Sequence, residues 1–228
     1  MELNRVRKID GRVRVRNALV SVADKSGLGD FVAGLVEACP GLCVYSTGGT
    51  YAALEKSLAR AGKAFALRQV SEYTGQPEMQ GGLVKTLDYR IYLGLLSETY
   101  NPSHQADLER LQAQAFDLVC VNLYPFREAS SAAGAALEDA RTHIDIGGPC
   151  MLRAAAKNFL RVAAVCDPAD YPGLLAELKT GGGHTRLPTR FRLAKKVFRH
   201  TAEYDAAIAD CFALTADADA GGAYDAQN

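Results

Sequence analysis

One unit occurs twice near the start of the chain and limits the folds open to it. A short β-branched run, Asn17 to Ala23 (NALVSVA), is followed by the polar loop Asp24-Lys25-Ser26-Gly27 and then by Leu28, Phe31, Val32 and Leu35 at helical spacing. Leu42 to Ser46 (LCVYS) likewise leads into Thr47-Gly48-Gly49-Thr50 and a helical stretch carrying Ala52, Ala53, Leu54 and Leu58, which ends near Gly62. Strand, loop and helix in succession predict parallel strands joined by right-handed crossovers, with the loops after the strands gathered on one edge where ligands bind.

Further strands are expected at Phe65 to Val70, Phe116 to Asn122 and Arg161 to Cys166. Helices are expected from Asn101-Pro102 with Asn101 as cap, from Pro149 to Lys157, from Pro168 to Lys179, and as a long terminal helix or helix pair through Phe191, Phe198, Ile208 and Phe212. The fold class is α/β, a three-layer sandwich with a mainly parallel central sheet plus C-terminal helices. The 228 residues, 48% hydrophobic and 23% charged, suit one generous globular domain rather than two.

Lys plus Arg number 26, against 26 Asp plus Glu, so the broad positive field that nucleic-acid binding depends on is missing. Nucleic acid is therefore not an expected partner, and an anionic ligand would be small and locally held. Arg5, Arg7, Lys8, Arg12, Arg14 and Arg16 crowd the first segment, and Asp217, Asp219 and Asp225 lie in the tail. Both ends read as solvated extensions. Six cysteines lack CxxC or zinc-type spacing, the four histidines lack ligand spacing, and no metal site is expected. No apolar run of eighteen residues or signal-type segment is visible, which favours the cytoplasm and no membrane association.

The two polar loops would place backbone N–H groups, hydroxyls and one ammonium at neighbouring strand ends, an arrangement suited to phosphate. Lys85 follows a Gly pair among apolar neighbours, and Asn122 and Tyr124 close a buried strand. Asp145 lies between apolar residues just before a helix start, where it could cap the helix or act as a base. Lys157 lies at the far end of that helix among small alanines.

Together, SVADKSGL (21 to 28), STGGT (46 to 50), VSEYTGQPEMQGGLVKTL (70 to 87), NLYPF (122 to 126), IDIGGPCMLRAAAKN (144 to 158) and LAKKVFRHTAEYDAAIADCF (193 to 212) resemble the cyclohydrolase domain of the bifunctional AICAR transformylase/IMP cyclohydrolase family. The resemblance spans about Asn17 to Phe212 and implies a methylglyoxal-synthase-like fold. With the charge pattern of the ends, the chain divides into a basic N-terminal extension (1–16), a cyclohydrolase-like α/β domain with C-terminal helices (17–214) and an acidic flexible tail (215–228).

The activity implied is IMP cyclohydrolase: closure of formyl-AICAR ribonucleotide to IMP with loss of water and no cofactor. Lys85, Tyr124, Asp145 and Lys157 would surround the reacting atoms. Asp24, Lys25, Ser26, Gly27, Ser46, Thr47, Gly48, Gly49 and Thr50 would hold the 5′-phosphate, with Thr86, Asn122, Ile146, Gly147 and Gly148 completing the substrate site. The resemblance also implies a homodimer and, because no transformylase domain follows in this chain, a separate AICAR transformylase as pathway partner.

The family usually reads GGRVKTLHP followed by a second histidine, whereas here Leu83, Asp88 and Tyr89 stand in that segment and Tyr92 follows. Ala23 and Phe159 replace a serine and a histidine. If the replaced arginine touches the nucleotide, Leu83 would weaken binding, and Asp88 would add negative charge near an anionic substrate. These departures favour as alternative a purine-nucleotide or phosphate-ligand-binding regulatory module of the same fold. A methylglyoxal-synthase-type lyase is a weaker third reading.

Overall fold

The computed structural model describes residues 5–60, 65–76, 85–124, 126–127, 137–217, 220–222 and 224. In chain order the strands are β1 (Arg12–Arg14), β2 (Asn17–Val22), β3 (Cys43–Ser46), β4 (Ala66–Gln69), β5 (Leu118–Asn122), β6 (Ala163–Val165) and β7 (His184–Arg186). The helices are α1 (Leu28–Ala38), α2 (Gly48–Arg60), α3 (Val70–Thr74), α4 (Tyr89–Leu96), α5 (Pro102–Arg110), α6 (Leu137–Thr142), α7 (Gly147–Lys157), α8 (Tyr171–Thr180) and α9 (Leu187–Phe212).

Five strands form one sheet in the order β4-β3-β2-β5-β6, every neighbouring pair parallel. Strand alternation sorts the core into two layers. Leu19, Val119, Val121 and Ala164 face α4, α7 and α9 through Ile91, Leu95, Met151, Leu152 and Val197. Ala18, Val20, Val22, Cys120 and Val165 face α1, α2 and α8 through Phe31, Leu35, Leu54 and Leu174. With both faces covered, the strands read as nearly continuous apolar runs, which made them visible in the sequence. The three-layer α/β sandwich is as expected.

Local signals act where the residues place them. Asn101 caps α5, its Oδ1 accepting from the N–H groups of Ser103 and His104, and Pro102 opens the helix. Helix α7 begins two residues earlier than expected, at Gly147. The segment from Pro168 starts as a short 3₁₀ turn, Pro168–Asp170, before α8. The terminal stretch is one continuous helix, α9.

The first segment is not wholly a solvated arm. Arg12 to Arg14 pair antiparallel with β7, Val15 is buried, and its N–H donates to the Gly183 carbonyl at 2.9 Å. The fully buried Arg190 of α9 donates to the carbonyls of Asp10 (2.8 Å), Leu160 (3.1 Å), Phe159 (3.0 Å) and Thr185 (2.7 Å), tying the arm to two turns of the domain. In the tail, Tyr224 donates to Glu138 of α6.

The chain runs outward from β2 through β3 to β4 and then crosses back to β5 on the other side of β2. The connections after β2 and β5 therefore depart to opposite faces and leave a crevice at the strand ends. The site lies there.

Candidate active site

A cleft of about 450 Å³ opens at the carboxyl ends of β2 and β5. Its floor is Ser21, Val22, Val121 and Asn122. The amino ends of α2 and α7 meet it from two sides, bringing Gly48, Gly49 and Thr50 opposite Ile146, Gly147 and Gly148. Opening N–H groups and two helix dipoles give this crevice a positive bias. Lys25 and Lys85 add two ammonium groups against the single carboxylate of Asp145 among the cleft-lining residues.

The turn after β2 is held by cross-strand contacts. Asn122 Oδ1 accepts from the N–H groups of Ala23 (2.6 Å) and Asp24 (2.9 Å), and its Nδ2 donates to the Asp24 carbonyl at 2.8 Å. The amide of Asn122 thus shapes the Lys25 loop. Thr50 Oγ1 accepts from the Val22 N–H and donates to the Val22 carbonyl, both at 3.1 Å, locking α2 to the end of β2. Ser21 Oγ and Thr47 Oγ1 are hydrogen-bonded at 2.7 Å. Gly48 has φ of +23°, which L side chains rarely adopt.

Asp145 stands at the helix start and also faces the cleft. Its Oδ1 accepts the Gly148 N–H at 2.9 Å, capping α7, while the carboxylate lines the cleft. Burial pushes the carboxyl up from the ordinary range, against the N–H donors of Gly148 and Gly147, and makes it a stronger base. Tyr204 of α9, missed in the sequence, accepts the Asp145 backbone N–H at 2.7 Å and so holds the loop from behind. A Cβ on Gly148 would collide with Asp145 Oδ2 and approach Leu123 Cδ2 at 2.7 Å. Gly148→Ala is therefore expected to displace the carboxylate and cost about 1–3 kcal/mol of stability, read as a lower urea midpoint.

Of the four expected catalytic residues the cleft gathers Lys85, Tyr124 and Asp145. Lys157 does not line it: it is exposed in the last turn of the 11-residue α7, which carries it roughly 15 Å from the cleft end of that helix. Lys25, Thr47, Gly48, Gly49, Thr50, Thr86, Asn122, Ile146, Gly147 and Gly148 line the cleft as anticipated. Four expected phosphate-loop residues do not. Ser46 is buried and donates to the Val20 carbonyl, Ser26 and Gly27 lead into α1, and Asp24 faces a neighbouring groove with Cys166 and Lys196.

The departures from the family pattern are also placed. Asp88 caps α4, accepting from the Arg90 N–H (2.8 Å) and from Gln76 Nε2 (3.0 Å), and does not line the cleft. Its carboxylate serves the start of α4. Phe159 packs against Phe191 with ring centroids 5.0 Å apart, and the Tyr92 hydroxyl lies beside the Cys150 thiol. Leu83 lies outside the described residues.

Comparison with known proteins agrees with this geometry. Residues 27–150 match the model of the MGS-like domain. The chain belongs to the MGS-like domain family. Residues 155–227 match the model of the AICARFT/IMPCHase bienzyme. The domain is 45% identical over 196 residues to the bifunctional purine biosynthesis protein PurH of Acidithiobacillus ferrooxidans, and 48% identical over 198 residues to that of Rhodopirellula baltica. These alignments cover 86% and 87% of the chain but 36% of each relative. The crystal structure of ForH superposes with a TM-score of 0.72 at 34% identity, covering 87% of this chain and 99% of that one.

Proposed function

We propose that this MGS-like domain is an IMP cyclohydrolase, closing formyl-AICAR ribonucleotide to IMP. The observation that carries the reading is the meeting of Asp145, Lys85 and Tyr124 with the Lys25 and Gly48-Gly49 loops in one cleft. The two PurH relatives are purine biosynthesis proteins by name, and ring closure gives Asp145, Lys85 and the two loops each a task.

In this reaction the carboxamide nitrogen attacks the formyl carbon of the same molecule. Bringing both ends together supplies much of the acceleration, because no second reactant has to be captured. The carboxamide nitrogen is a poor nucleophile, so Asp145, made more basic by burial, accepts its proton as the C–N bond forms. The formyl oxygen gains negative charge, which Lys85 and the N–H groups opening α7 would stabilise; one such donor is typically worth about 10² to 10³ in rate. The loops near Lys25 and Gly48 would anchor the 5′-phosphate. A transformylase would supply the formylated substrate, and the homodimer belongs to the same reading.

The test is direct. Purified protein given formyl-AICAR ribonucleotide is expected to show the ultraviolet absorbance change of ring closure, and a folded protein without turnover would refute the reading. The position of Lys157 outside the cleft favours one rival, a nucleotide-binding module without turnover. Calorimetric binding of IMP with no consumption of substrate would select it.

A further inference from the structure

His143 lines the same cleft two residues ahead of Asp145 and has no part in the proton transfer assigned to Asp145. Its Nδ1 lies 2.7 Å from the backbone carbonyl oxygen of Asp139 in α6. A carbonyl oxygen only accepts, so in the neutral ring Nδ1 carries the hydrogen and Nε2 carries the lone pair. Thr142 Oγ1 donates to the same carbonyl at 2.9 Å. On the main-chain side, Tyr204 Oη accepts the Asp145 N–H and approaches the His143 carbonyl at 3.4 Å. The loop is therefore pinned from α6 and from α9, and it presents an imidazole and a carboxylate to one cavity.

The other histidines lie elsewhere. His104 accepts the Glu98 N–H through Nδ1, His184 contacts the Gly181 and Gly182 carbonyls, and His200 lines the groove beside Cys166. Among the described residues His143 is the one imidazole of the cleft, facing a space it shares with Asp145, Lys25, Lys85 and Tyr124.

Ring closure needs two proton transfers. The carboxamide nitrogen gives up one hydrogen and the formamide nitrogen another, and both must reach the formyl oxygen before it departs as water. Asp145 accounts for the first. We propose that His143 is the second proton carrier: Nε2 takes the formamide proton as the ring C=N bond forms and delivers it to the oxygen as the C–O bond breaks. One C–N bond is made, one C–O bond is lost, and the two hydrogens leave in the water, so His143 ends as it began.

This inference rests on the cyclohydrolase reading, and the experiment separates the two. Wild type, His143→Ala and His143→Asn are assayed with formyl-AICAR ribonucleotide, and IMP affinity and urea midpoints are measured alongside. Both variants are expected to lose about a hundredfold in kcat with KM and IMP affinity little changed. Added imidazoles are expected to restore turnover to His143→Ala, the more basic ones more effectively, a response that a merely structural residue would not give. Unchanged kcat in both variants, or a loss that no imidazole repairs, would overturn the role of His143 while the active wild type keeps the cyclohydrolase reading. An inactive wild type would remove both.

Discussion

Asp145→Asn is expected to lower kcat by about 10² to 10⁴ and at the same time to make the folded protein more stable at pH 7. The first effect follows from removing the base of the proposed reaction. The second follows from the direction in which burial moves the carboxyl, upward from its ordinary value. The folded state then holds this proton to higher pH than the unfolded chain does, whose carboxylates titrate near about 3.9. Between those two values the folded state binds more protons, so stability falls as pH rises and remains lower above the folded value. At neutral pH the protein bears the cost of an ionised, half-buried carboxylate. Asparagine carries no charge and keeps an oxygen to accept the Gly148 N–H that caps α7. Urea midpoints at pH 7 and pH 4 check the argument: the gain is expected at pH 7 and should shrink at pH 4, where less of the wild-type carboxyl is ionised. Wild-type kcat in the variant, or a lower midpoint at pH 7, would contradict the assignment.

That Asp145 could cap a helix or act as a base was legible because an aspartate before a glycine pair and a helix start is a local signal. Strands β2 and β5 were legible for a similar reason, since burial on both faces writes a nearly continuous apolar run into the sequence. The features that escaped are set by distance. Strand β1 is the charged tripeptide RVR, and its partner β7 lies about 170 residues away, so no local pattern announces either. Helix α4 carries Gly94 in its middle, a poor helix former by propensity. The structure needs glycine there because a Cβ would strike the Gln114 carbonyl and the Phe116 ring. Lys157 and Asp145 look adjacent in a motif, yet a rigid helix sends them to opposite ends of α7. Conversely, His143 and Tyr204 are 61 residues apart and meet only because α9 packs against the loop.

Asp117→Ala is expected to cost about 3–5 kcal/mol, a large part of the roughly 5–15 kcal/mol that holds a domain together. Asp117 stands at the opposite edge of the sheet from the cleft, just ahead of β5, and is buried with Arg161. Its Oδ1 accepts from Arg161 Nη1 at 3.1 Å, and its Oδ2 accepts from the N–H groups of Arg16 (2.9 Å) and Asn17 (3.1 Å) at the start of β2. Arg161 also donates to the carbonyls of Gly94 and Ser97, so one ion pair joins β2, β5, the approach to β6 and the end of α4. Removing the carboxylate leaves a buried guanidinium without a counter-charge and two backbone donors without an acceptor. Replacing both members by apolar residues, Asp117→Leu with Arg161→Met, removes the stranded charge and is expected to cost less than the sum of the single changes. Because the pair lies away from the cleft, the fraction of Asp117→Ala that remains folded should retain wild-type kcat, the reverse of Asp145→Asn. A urea midpoint shift worth less than about 1 kcal/mol, or a matching fall in kcat of the folded fraction, would show that the two edges of the sheet do not divide stability and chemistry in this way.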